Sequence, residues 1–136
     1  MLLFVVGHGR WTARLLAVGR GHYLDAVLYM AEQTSGDEVV VATDHSFRNE
    51  AVLGFYADYL PPGKRIVCVD GVQPAARPEW LITHSRQVDH VPPRQLVDRE
   101  GAAYVLARRF PYAGVSGWQW FVYHRAGKVG EPTDQK

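Results

Sequence analysis

Two kinds of apolar pattern alternate along the first two thirds of the chain. From Tyr23 onward, Leu24, Val27, Leu28 and Ala31 recur at helical spacing, which predicts a helix ending near Thr34, with "TSGD" as the turn behind it. Glu38 to Thr43 ("EVVVAT") is then a continuous β-branched run, the pattern of a strand covered on both faces. The sequence repeats this order. Val52, Leu53, Phe55, Tyr56, Tyr59 and Leu60 suit a helix from Arg48 to Leu60, stopped by "PPGK", and "RIVCVD" is a second buried strand. "EWLITHS" makes a third. "VDHVPPRQLVDREG" reads as a loop, and "AAYVLARRF" and "WQWFVYHR" alternate around "PYAGVSG" as a hairpin.

Alternating helix and strand imply crossover connections. The expected fold is therefore a single α/β domain, a mostly parallel sheet with flanking helices and a C-terminal antiparallel hairpin of edge strands. Its span is residues 21–125, between an N-terminal arm or membrane-proximal segment (1–20) and a polar, mobile tail (126–136).

An apolar content of 47% in 136 residues is enough for one packed core. A formal net charge of +1 gives no electrostatic case for nucleic acid as partner. Cys68 is the single cysteine, so no internal disulfide forms. "MLLFVV" is far short of the roughly 20 apolar residues that a spanning helix needs. Arg10, Trp11 and Arg14 follow it, residue types that membrane interfaces collect. The segment reads equally well as the end of a spanning helix or as a short first strand. As an apolar arm it offers a route to self-association.

Ligands of open α/β sheets bind beyond the carboxyl ends of the strands. Three expected strands end there in polar clusters: Asp44-His45-Ser46, Asp70-Gly71 and Thr83-His84-Ser85. Asp44, His45, Asp70, His84 and Ser85 thus line one rim, with donors for a divalent metal or for a general base and its partner. The plainer alternative is that Asp44 or Ser46 caps the next helix and Asp70 serves a turn. Arg20, Gly21 and Arg48 are candidates for an anion site beside a helix start. Trp118 and Trp120 either fill the core or form an aromatic platform for a sugar. No spacing matches a known catalytic or nucleotide-binding motif, so no catalytic residue is assigned.

The series "VGRGHYLDAVLYMAEQT", "VATDHSFRNEAVLGFYADYL", "PEWLITHS" and "RRFPYAGVSGWQWFVYHR" resembles the soluble C-terminal region of bacterial polytopic membrane proteins related to lipid-linked-sugar glycosyltransferases, the dolichyl-phosphate-mannose-protein mannosyltransferase-like proteins. The resemblance spans roughly Val18 to Arg125. It implies a membrane-associated domain on the extracytoplasmic face, partnered by the transmembrane portion of its parent or by a membrane complex. That domain would assist recognition of an acceptor or a lipid-phosphate-linked sugar without being catalytic in isolation. The carboxylate that places the family's chemistry lies in a loop this chain lacks. Two further readings are a freestanding small α/β enzyme using the Asp/His rim, with or without a metal, and a protein-interaction domain without catalysis.

Overall fold

The computed structural model describes residues 21–69, 77–98, 100–114 and 116–126, the side chains of 46–48 excepted. The expectations for the arm (1–20) lie outside these, as do those for the polar tail apart from Ala126. The described elements run α1 (Tyr23–Gln33), β1 (Glu38–Thr43), α2 (Ser46–Ala57), β2 (Arg65–Val69), β3 (Trp80–Ser85), β4 (Gln95–Val97), β5 (Ala103–Ala113) and β6 (Trp118–Arg125). They build one six-stranded sheet in the order β2-β1-β3-β6-β5-β4. No described helix is long and apolar enough to cross a membrane.

The sheet is mixed, which corrects the expectation of a mostly parallel one. β1 runs parallel to both β2 and β3. The pairs β3–β6, β6–β5 and β5–β4 are antiparallel. Crossover logic holds where a helix separates strands, as α2 separates β1 from β2. From β3 onward no helix separates the described strands, and they return through turns and loops. Nor are both strands of the closing hairpin at an edge. β6 inserts between β3 and β5 and pairs with β3 from Trp80↔His124 to Ser85↔Gln119. The double-sided apolar character of "WQWFVYHR" suits this central position. Trp120 and Val122 pack with α1, α2, Trp80 and Ile82, whereas Phe121 and Tyr123 pack with Tyr104, Leu81 and Leu96 on the other face.

Four local expectations also shift. In α1 the buried stripe is Tyr23, Ala26, Val27, Met30 and Ala31, so Leu24 and Leu28 flank it. α2 starts two residues early and stops at Ala57, and Phe55 and Tyr59 stand 65% and 57% exposed. "QLV" within the expected loop forms β4, and β5 runs on through Pro111 to Ala113. Pro111 is tolerated because β4 pairs only with Ala103 to Val105, leaving the far half of β5 at an edge.

Candidate functional site

β1 and β3 are adjacent and parallel, so their carboxyl ends meet. From there the chain departs to opposite faces. After β1 it enters α2, whose Leu53 lies in the core beneath the helices. After β3 it crosses the other face, where His90 lies 5.5 Å from the Phe121 ring and Pro93 O accepts a bond from the Tyr123 hydroxyl. Divergent connections of this kind leave a crevice between two strand ends.

Asp44, exposed, sits at this junction. Asn49 Nδ2, one turn into α2, donates to Asp44 Oδ1 at 2.8 Å. The His84 backbone N–H donates to Oδ2 at 3.1 Å, and His84 Nδ1 lies 2.8 Å from Oδ1. An ionised carboxylate only accepts, so Nδ1 carries a proton in this contact. Trp118 and Trp120 lie against the same imidazole, 4.6 and 5.3 Å from its centroid. The His45 ring is 6.4 Å away, and the Arg86 guanidinium sits 4.3 Å over the Trp118 ring.

This geometry answers whether the Asp44 junction is only a cap. The N-cap of α2 is His45, with no side-chain capping bond. The Asp44 carboxylate reaches across to His84 on β3, 40 positions away, and to Asn49 in the helix that follows it. A buried acceptor is left over: Asn49 is 2% exposed and its Oδ1 has no partner, nor does Nε1 of the buried Trp120. Flipping the Asn49 amide would set its oxygen against the carboxylate, so this orientation is fixed by chemistry.

The other candidates separate. Ser85 Oγ accepts from the Gln87 N–H, a local turn bond. Asp70, Arg20 and the Arg48 side chain lie outside what is described. Gly21 has φ +131° and a Cβ there would stand 2.9 Å from Ser116 Oγ, so close approach accounts for that glycine. Trp120 is 1% exposed and offers no platform, leaving Trp118, half-buried, as the accessible ring. Among the described residues no three His, Cys, Asp or Glu side chains gather in a way that would hold a metal. Asn49 and Arg86 are site residues that sequence reasoning missed. Their only signal was position, Asn49 within the polar cluster after β1 and Arg86 two residues after His84.

No protein-family model, curated protein or solved structure matches this chain.

Proposed function

We propose that the chain is an accessory domain of a membrane glycosyltransferase-like protein, recognising an acceptor or a lipid-phosphate-linked sugar in the crevice between β1 and β3. The observation that carries this reading is the Asp44–His84 pair with Trp118 beside it. Oriented polar groups next to an aromatic face are how small-ligand sites grip hydroxylated rings. The Arg86 guanidinium adds a cation with donors for a phosphate. Titrating the protein with a hexose 1-phosphate, with hexose and inorganic phosphate as separate arms, tests it by NMR of the indole N–H groups. Saturable shifts at Trp118 that Asp44→Asn and Arg86→Ala each weaken are expected. Shifts indifferent to both substitutions, or none at all, would refute the crevice as the site.

A second reading, a small enzyme, is favoured by the 2.8 Å contact between Nδ1 and Oδ1. A carboxylate that fixes the tautomer of a histidine also orients a general base. In that case His84 Nε2 takes a proton from water or a ligand hydroxyl. Turnover of the titrated ligand, abolished by His84→Gln, would mark this reading over simple recognition.

A further inference from the structure

Arg86 is the first residue beyond β3, and its side chain lies over the ring that the proposed site would use. Its Cζ stands 4.3 Å from the Trp118 centroid, closer than Arg108 over Tyr29 at 5.0 Å or Arg109 over Phe121 at 6.0 Å. His84 meets the same indole at 66°, with 4.6 Å between centroids. Trp118 is half-buried and Arg86 is exposed. The accessible ring of the crevice is thus partly covered by an arginine from the same rim.

The backbone around Arg86 is held. Ser85 Oγ accepts from the Gln87 N–H at 3.1 Å, and Gln87 O accepts from the His90 N–H at 3.2 Å and from Nε2 of the buried Gln119. These bonds fix where the side chain is rooted without fixing where its guanidinium lies. That group forms no ion pair among the described residues. Its hold on Trp118 is a cation–ring contact exposed to water, the weak end of that interaction. A planar guanidinium also matches a phosphate through two parallel bonds, which are stronger.

We infer that Arg86 is a selectivity gate on Trp118, covering the ring against neutral sugars and yielding it to a sugar that carries a phosphate. This rests on the reading of the crevice as a sugar-phosphate site. A neutral hexose has to displace the guanidinium and gains nothing from it. A hexose 1-phosphate displaces the same group and recovers it as a phosphate partner. Removing Arg86 should therefore move the two ligands in opposite directions.

The test titrates the full chain with hexose and with hexose 1-phosphate, read by NMR at the Trp118 indole. Arg86→Ala should tighten hexose about two- to fivefold, the equilibrium weight of an exposed cation–ring contact. It should weaken hexose 1-phosphate at least about tenfold, the weight of hydrogen bonds to a charged group. Arg86→Lys keeps the charge without the planar fork. It should tighten hexose as well, while keeping more of the hexose 1-phosphate binding than Arg86→Ala does. Without ligand, a neutral paramagnetic cosolute should broaden the Trp118 ring protons more in Arg86→Ala than in the parent. Hexose and hexose 1-phosphate weakened alike, or unchanged broadening, would overturn the gate and leave the crevice standing as a binding site. No saturable shift with either ligand, in the parent or the variants, would refute the crevice itself, and the gate would fall with it.

Discussion

Asp44 is the residue on which the crevice depends, because its two oxygens receive two side chains and one backbone N–H. Removing it strands the nearly buried Asn49 amide and the His84 backbone donor. Asp44→Ala should therefore destabilise the protein by about 1–3 kcal/mol, the range for donors left without a partner. Asp44→Asn keeps one carbonyl acceptor and should cost less. Urea midpoints of both variants check the ordering. Gly21 makes a different kind of prediction. Gly21→Ala forces a Cβ onto a φ of +131° and against Ser116 Oγ, so it should destabilise by on the order of 1–3 kcal/mol. A thermal midpoint equal to that of the parent would contradict the close approach of the two segments.

Among the elements, α2 carries an avoidable weakness. Gly54 lies in its interior, exposed, with nothing within 4 Å of where a Cβ would stand. Gly54→Ala should stabilise the protein by about 0.5–1 kcal/mol through reduced chain entropy, readable as a higher urea midpoint with unchanged slope. α1 is secured differently. Lys64 Nζ, just ahead of β2, donates to Thr34 O and Gly36 O behind the helix. The Trp80 indole N–H donates to Thr34 Oγ1 at 2.8 Å, and that hydroxyl donates to Glu79 Oε2 at 3.0 Å. The end of α1 is thus fixed to the start of β3, at the end of the sheet opposite the crevice. Thr34→Val leaves the buried Trp80 N–H unpaired and should cost about 1–3 kcal/mol by denaturant unfolding.

At the scale of the whole molecule, the sheet face away from α1 and α2 carries two tyrosines whose hydroxyls bond to backbone carbonyls. The Tyr104 hydroxyl donates to Pro78 O and that of Tyr123 to Pro93 O, each at 3.2 Å. Burial raises the pKa of Tyr104 above the ordinary value of 10.0, and the nearby Asp98 raises it further against the opposing Arg125. Burial likewise raises Tyr123, partly offset by Thr83 and Arg109. The folded state therefore holds these protons more tightly than the unfolded chain does. Stability from this source is complete below about pH 10 and falls as the pH climbs from there through the folded-state values. Equilibrium unfolding at increasing alkaline pH should show the decline, and the double variant Tyr104→Phe/Tyr123→Phe should flatten it. An equally steep decline in the double variant would place the alkaline sensitivity elsewhere.

What the sequence determined by itself is local. The runs "EVVVAT", "WLITHS" and "WQWFVYHR" coincide with β1, β3 and β6, because short runs rich in β-branched and aromatic residues and bounded by turn signals favour strands. The α1 boundary near Thr34 was legible for a similar reason, since a polar turn cannot continue an apolar stripe. β4 was not legible: three residues behind a pair of prolines carry too little pattern, and only the proximity of β5 makes them a strand. The order of strands was decided in three dimensions. The sequence shows that β6 is apolar on both faces but not which strand it joins, and its insertion beside β3 is what makes the sheet mixed. The site divides in the same way. The residue types at the strand ends drew attention to Asp44 and His84, 40 positions apart. Their hydrogen bond, and the placing of Trp118 and Arg86 beside them, depend on the pairing of β3 with β1 and β6, which no short-range pattern encodes.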